Sequence, residues 1–430
     1  MSVFGPYTGG TGATDKLFLE YIMPGLNVEV RENSVLYDRF KTDVDSVTGS
    51  RAVFKCLTSS PKSVRPSSTS TLPTAKQGGY SEFVLYMKRG LYAQLQFDGL
   101  AIACAKGKGA VMGLLEAELK GMGIQIARKM NRQFWGDGSG RLAQLYAAVS
   151  NDTAAYVDGP LFAQDSNGYT PASNFLDEDQ EIDIRHSTTG ALEAEGITIS
   201  TISATGTAYD TLTLAEAVTA TEDAYIFDHD TYASSQAMGT GVPMGLAGII
   251  EASDPYTGIT STDFQGVDRG TLSWARANEV DMGSVAVTEI KILQTIMECE
   301  KFGRVKAIIT NDVIWRALFE ILQANQAAKP EPAQWGGTTG ISFYGGRGGK
   351  IPIIYDTDCP DNTMYFIDDD YLQVYAPMKN GMTWMPGDSG ILTRVSGKDE
   401  WVAGLVYYYN FGTNKPKALG KLYNVKHASA

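Results

Sequence analysis

Residues 107–135 constrain this chain more than any other stretch. Val111, Leu115, Leu119, Met122, Ile126, Met130 and Phe134 recur at steps of three and four, which draws one apolar stripe along a single α-helix. At 1.5 Å per residue such a helix is roughly 40 Å long. Glu116, Lys120 and Asn131 mark the opposite face. Acids fall early (Glu116, Glu118) and bases late (Arg128, Lys129, Arg132), as the helix dipole favours. One stripe, rather than an apolar circumference, predicts a helix that lies across a surface. Whatever the fold, it must house a rod of that length.

The helix ends in Phe134 and Trp135 and meets GDGSG, residues 136–140. A Walker loop needs a Lys after its last glycine, and none follows. A nucleophile elbow needs glycines two before and two after its Ser; around Ser139 those positions hold Asp137 and Arg141. A dinucleotide fingerprint lies between a strand and the helix it opens, whereas here the helix comes first. Gly136, Gly138 and Gly140 are therefore read as a hinge that ends the helix and turns the chain.

Other motifs fail on similar grounds. GGRGGKI (345–351) has Ile351 where a phosphate loop needs Ser or Thr, so it reads as a hairpin or surface loop. DTDCPDN (356–362) puts Asp361 where a calcium hand needs Gly and Ile367 where it needs Glu, so it reads as a turn between strands. FIDDDY (366–371) is a strand end and turn. His186, His229 and His427 are the only histidines, and none pairs with another at ligand spacing. DHD (228–230) has the chemistry to hold a metal, but a strand-end turn is the commoner use. A Ser/His/Asp or Cys/His triad need not be adjacent in sequence, yet nothing points to one. No catalytic, cofactor or metal residue is assigned from these motifs.

Composition narrows the class. Over 430 residues the chain is 43% hydrophobic and 20% charged, which suits one elaborate globular architecture or two to three domains. A net charge of −13 disfavours a tight grip on nucleic acid, which normally needs a basic surface. Cys56, Cys104, Cys299 and Cys359 are scattered, so no disulfide framework is expected. The opening MSVFGPYTGGTGATDKLF has neither a basic n-region nor an apolar run, and nothing approaches the length of a membrane span.

Along the chain, residues 1–14 are expected to be flexible or extended, with a short helix at 15–23. SSPKSVRPSSTSTLPTAKQGG (59–79) resembles a linker. YSEFVLYMKRGLYAQLQF then alternates on both sides of Lys88–Gly90, which reads as a β-hairpin with its turn there. An isolated hairpin is marginal in water, so the ribbon at 80–97 is expected to lie on something else, its cationic tip meeting acids of a neighbouring molecule. Short alternating segments at 181–230 predict a small β-barrel or sandwich-like module set into a larger domain. From 287 the texture becomes α/β. VTEIKILQTIMECEKFG is a helix with Ile290, Leu293 and Met297 on one face, VKAIIT is a buried strand, and a second helix turns Ile314, Leu318 and Ile321 inward. The last fifty residues read as strands.

This order of parts resembles the major capsid protein of tailed bacteriophages, the Hong Kong 97-type fold, over most of the chain. The residues that carry the resemblance are NRQFWGDGSGRLAQL, LPTA followed by LYMKRGLYAQLQFDG, IPIIYDTDCPDNTMYFIDDDYLQVY, and YYYNFGTNKPKALGKLYNV. The resemblance implies an α+β fold with an N-terminal arm (1–54), an extended β-hairpin loop (55–104), a long spine helix with the first part of a peripheral domain (105–180), an inserted β module (181–230), more peripheral domain (231–286), an axial domain (287–380) and a return to the peripheral sheet (381–430). It implies no enzyme but a virion shell, assembled in the bacterial cytoplasm from hexamers and pentamers of the chain, enclosing DNA without sequence-specific binding and away from any membrane. Portal, scaffolding, protease and decoration proteins are the partners it suggests, although no scaffold-like segment is visible ahead of the arm. Tyr86, Lys88, Arg89, Gly90 and Tyr92 would be the inter-subunit contact at the loop tip. Some relatives join subunits through a Lys and an Asn; Lys88 is the tempting donor, but no partner can be chosen. The competing readings are a cytosolic α/β enzyme with a barrel appendage and a virion tail or decoration protein. The shell expectation leans on the ribbon at 80–97, stabilised by docking onto a sister copy: a ribbon tucked firmly against its own subunit would overturn this argument for a shell.

Overall fold

A computed structural model of the chain describes residues 36, 39–59, 63–64, 66, 72, 74–75, 77–98, 108–158, 175–203, 209–232, 241–251, 264–326, 342–344, 349–360, 362–377, 382–385 and 392–426. Most of the N-terminal arm, the short helix at 15–23, most of GGRGGKI, Cys104 and His427 lie outside them. The class is α+β. The helix is Lys108–Trp135, 28 residues. Its stripe is kept where side chains are described: Ile126, Met130 and Phe134 are buried, and Met122 packs against the same core. Asn131, expected on the outer face, is buried. The period placed it correctly around the helix, but a second layer covers that side.

Three sheets and a barrel surround this rod. The first sheet is built along the 14-residue strand Glu400–Thr413. One edge of it carries Lys88–Asp98 antiparallel over most of its length. The other carries Leu392–Arg394, Thr383–Trp384 and Leu372–Tyr375 in turn, and Lys41–Asp43 adds in parallel beyond the last. The second sheet runs Asn278–Ala286, Gly420–Lys426, Met364–Ile367, Ala307–Thr310, Lys350–Tyr355, Ser342–Tyr344. The helices Glu289–Glu300 and Asp312–Gln326 share a core with Ile308, Ile353, Met364 and Phe366 on one face of it. Ile309, Tyr365 and Ile367, which alternate with these, belong to the main core with Phe134 and Trp135. This sheet is thus a layer between two helices and the end of the rod.

Two strand assignments change. Leu372–Tyr375, expected in the axial part, belongs to the first sheet, and Gly420–Lys426, expected in the peripheral return, belongs to the second. The β module is also larger than expected. It is a closed six-stranded barrel, ordered Asp210–Ala220, Val149–Asp158, Arg141–Leu145, Tyr225–Asp228, Glu181–Arg185, Leu192–Ser203. It begins directly after GDGSG, and it has its own core of Ala143, Leu145, Val157, Ile182, Ile184, Ile199, Leu212 and Ile226.

The hairpin at 80–97 is the main correction. Gly79–Tyr86 pairs with Arg51–Ser59, not with Lys88–Asp98. The two halves of the expected ribbon are neighbours in the chain but partners in different sheets. Lys88–Gly90 is no turn: Lys88 is 1% exposed and opposite Tyr409. Gly90 is glycine because the strand passes tightly over the Tyr409 ring, which a Cβ would strike. The hairpin in this region is Arg51–Ser59 with Gly79–Tyr86, its far end tied by the Gly79 amide donating to Ser59 Oγ at 3.0 Å.

A candidate assembly surface and the joint behind it

The joint is built where the rod ends. Asn131 Nδ2 donates to Asp356 Oδ1 at 3.1 Å and to Asp358 Oδ2 at 2.7 Å, and Trp135 Nε1 donates to Asp356 Oδ2 at 3.0 Å. DTDCPDN is therefore a turn, as expected, and its acids clamp the helix to the second sheet. Burial pushes the Asp358 carboxyl up, with the Asn131 hydrogen bond opposing it. Gln133 Nε2 donates to the Gly90 carbonyl at 2.9 Å, and Tyr409 Oη donates to Gln133 Oε1. Asn410, 1% exposed, donates through Nδ2 to the Tyr86 carbonyl at 2.8 Å and accepts the Met244 amide at 3.1 Å. One turn of helix thus pins both sheets. Nothing in the sequence flags Asn131 or Asn410, because a buried amide looks like a surface one until its partners are placed.

The basic helix end serves the barrel. Arg128 pairs with Asp177 at 2.8 Å, Lys129 with Asp228 at 3.0 Å, and Arg132 Nη1 donates to the Phe175 carbonyl at 2.7 Å. Burial, and then Arg128, lower Arg132 to about 10. In GDGSG, Gly138 and Gly140 take φ of 90° and 86°, a left-handed backbone that suits glycine, and the chain enters the barrel at once. Asp137 is buried beneath this turn; its Oδ1 accepts Ser139 Oγ at 2.6 Å and the Ser139 amide at 2.9 Å.

The loop-tip residues are split. Lys88 and Gly90 are inside, and the Tyr86 carbonyl is taken by Asn410. Arg89 and Tyr92 face solvent, with Tyr92 edge-on to Tyr408 at 6.2 Å. Lys88 is buried opposite Tyr409 and does not stand at a projecting tip.

The helix Glu289–Glu300 gives the surface. Ile292, Ile296 and Cys299 turn inward. Ile290 (79% exposed), Leu293 and Met297 (58%) form a second apolar face at i, i+3 and i+7, continued by exposed Phe302. These three do share one face, as the period indicated, and it is the outer one. On the neighbouring helix Phe319 is also exposed, stacked on Trp315 at 5.9 Å, with exposed Tyr355 at 5.6 Å from Trp315.

DHD is a strand-end clasp. His229 Nδ1 lies 2.8 Å from Asp183 Oδ1, and Asp183 also accepts the Gly196 and Asp230 amides. Burial opposes the charge on Asp183, but these hydrogen bonds outweigh it and hold the carboxyl below its usual value. The hydrogen bond to Asp183 raises His229. Asp183, His229 and Asp230 lie close enough to ligate one cation, yet both oxygens of Asp183 already hold N–H groups.

No helix among the described residues is long and apolar enough to cross a membrane. No family model matches the chain, and no curated protein sequence matches it. Solved structures do. The chain is similar to the cyanophage A-1(L) capsid asymmetric unit at 13% identity, over 90% of both chains, with a TM-score of 0.46. It is similar to the capsid of the native GTA particle at 8% identity, over 93% of this chain and 90% of that one, with a TM-score of 0.44. It is similar to the procapsid of satellite phage P4 at 9% identity, over 94% and 90%, with a TM-score of 0.41.

Proposed function

We propose that this chain is a major capsid protein of the Hong Kong 97 type, which assembles through hexamers and pentamers into the icosahedral shell around the double-stranded DNA of a tailed phage. The shell comes from the resemblance in the order of parts. The observation that carries the assembly is the outer apolar face of Glu289–Glu300. A helix that has already filled its own core with Ile292, Ile296 and Cys299 keeps Ile290, Leu293 and Met297 in water, a pattern that marks an interaction surface. A second copy of the chain is the occupant that a self-assembling shell supplies.

On this reading Lys108–Trp135 is the spine, the sheet around Glu400–Thr413 is peripheral, and the sheet with the two helices is axial. Arg51–Ser59 with Gly79–Tyr86 takes the place of the extended loop. Residues 80–97 pair with strands of their own chain, which overturns the argument from a detached ribbon, so the order of parts and the outer face of Glu289–Glu300 carry the reading instead. Arg89 and Tyr92 are the two tip residues left to meet a neighbour, and Gly136, Gly138 and Gly140 turn the chain between rod and barrel. The net charge of −13 suits a wall that encloses DNA without gripping it. Negative-stain microscopy of the expressed protein tests this. Shells, hexamers or pentamers are expected; a small monodisperse oligomer with hydrolase activity, or tubes, would refute it.

A further inference from the structure

The turn after Tyr225–Asp228 presents two ligand atoms that its clasp on Asp183 does not use. Asp183 is 1% exposed. Its Oδ1 meets His229 Nδ1 at 2.8 Å and accepts the Gly196 amide at 2.9 Å, and its Oδ2 accepts the Asp230 amide at 3.1 Å. An ionised carboxylate only accepts, so the neutral ring carries its proton on Nδ1 and its lone pair on Nε2. This is how proteins orient a metal-binding imidazole: a carboxylate holds one nitrogen, and the other is left for the ion. Asp183 is thus no ligand, since its oxygens are taken, but it sets the ring that can be one.

The second atom belongs to Asp230. His229 Nε2 and Asp230 Oδ2 are 3.6 Å apart. That is too long for a hydrogen bond. It is close to the span that two ligands keep on one tetrahedral Zn²⁺, about 3.4 Å for bonds of about 2.0–2.2 Å. The turn that sets the spacing is fixed from several sides. The His229 amide donates to the Glu181 carbonyl at 3.1 Å, and Thr231 donates to the Asp228 carbonyl through its amide at 3.1 Å and its Oγ1 at 2.7 Å. Asp230 takes a left-handed φ of 60°, which Asp and Asn tolerate better than most residues. The side chains of His229 and Asp230 are 33% and 84% exposed, so water can fill the remaining positions on an ion. Asp183, Asp230 and Glu181 all place negative charge near the ring. An imidazole nitrogen in the set favours Zn²⁺ and its neighbours, whereas Mg²⁺ and Ca²⁺ take oxygen. A proton on Nε2 would answer the same charge, and the resulting ion pair with Asp230 is the alternative to be tested.

We propose that His229 Nε2 and Asp230 Oδ2 form a two-point site for Zn²⁺ or a similar divalent transition cation, with water completing its shell and Asp183 as the positioning residue. The site lies within one barrel, so its test is independent of shell assembly. Untagged full-length protein is titrated with zinc chloride and, separately, with magnesium chloride at constant ionic strength. The expected result is saturable binding of Zn²⁺ in calorimetry, with a saturable rise in Tm. Ring ¹⁵N spectra of histidine-labelled protein follow the site itself. In metal-free protein at alkaline pH, His229 should be the Nδ1–H form that Asp183 selects, and Zn²⁺ should shift its Nε2. Asp230→Asn keeps a residue suited to the left-handed turn and should weaken the apparent Kd about tenfold or more, while each variant's Tm rise is read against its own metal-free value. His229→Gln should abolish the effect, and His427→Gln should bind as the parent does. An Nε2–H ring, no saturable effect of Zn²⁺, an equal effect of Mg²⁺, an unchanged Kd in Asp230→Asn, or loss of binding in His427→Gln would overturn the site.

Discussion

Single residues decide where this chain's strands go. Gly90 sits in a K-R-G run that any reading of local sequence makes a turn, yet the structure uses it for clearance over Tyr409. Gly90→Ala should therefore destabilise the protein by about 1–3 kcal/mol through overpacking, read as a shift of the urea midpoint. Gly90 is not among the positive-φ glycines, so in an open, solvent-exposed position it would tolerate the change, and an unmoved midpoint would contradict the pairing with Glu400–Thr413. A second residue-scale effect lies at Lys421, which pairs with Glu251 and, at 3.1 Å, with Glu279. Two carboxylates share one ammonium. Burial pushes Glu251 up to about 8; Lys421 opposes the shift, and Glu279 adds to it. The folded chain thus holds a proton that the unfolded chain releases near the ordinary value of 4.5. Stability from this group is full below that value, falls as pH rises through the window, and is lost above about 8. Glu251→Gln, which is neutral throughout, should flatten this part of the slope in denaturation midpoints taken from pH 5 to 9. An unchanged slope would show that Glu251 ionises normally.

At the scale of elements, what was legible follows from what periodicity encodes. The long helix was readable to within a residue, because its stripe has a single period and a single stop. Alternation in YSEFVLY and GLYAQLQF fixed the two faces of each strand, and Phe83, Leu85 and Leu95 are buried. It could not name partners, since pairing is a relation between distant segments. The same limit moved Leu372–Tyr375 and Gly420–Lys426 between sheets. For Glu289–Glu300 the ambiguity is of another kind. The helix is apolar on two sides, Ile292–Ile296–Cys299 and Ile290–Leu293–Met297, and the period alone cannot say which is inside. The side left outside is where a test belongs. Ile290→Glu with Met297→Glu removes apolar surface without touching the buried face. The pair should leave Tm within a few degrees of the parent, since substitutions away from buried features are typically within about 0.5 kcal/mol, yet should abolish particles in microscopy and shift the protein to small species on gel filtration. Particles of normal yield would mean that this face is not an interface.

For the whole molecule, the barrel core is separate from the main core, and the two meet at one helix end. The inner barrel residues pack with one another, while Phe134, Trp135, Tyr365 and Tyr409 belong to the other core. What joins them is Arg128 to Asp177, Lys129 to Asp228 and Arg132 to the Phe175 carbonyl. The two ion pairs are partly exposed, and such pairs contribute little, about 0–1 kcal/mol each. The chain also leaves the barrel where it entered. Arg141 is the register partner of Phe227, and a Cβ on Gly140 would lie 3.2 Å from the Thr231 carbonyl. A module whose ends are neighbours and whose core is its own can be removed without stretching what remains. Texture alone put its start forty residues late, because Arg141–Leu145 and Val149–Asp158 follow the helix so closely that they read as its continuation into a larger domain. Deleting 141–230 and joining Gly140 to Thr231 through a short Gly-Ser linker should leave a protein that folds and still assembles. The full chain is expected to melt in two thermal transitions, and the deleted form in one. Loss of about 1–3 kcal/mol is expected from Arg132, whose buried guanidinium gives up a hydrogen bond. An insoluble product would show instead that the barrel is part of the folding unit that carries the rod, and that the shell subunit cannot be built without it.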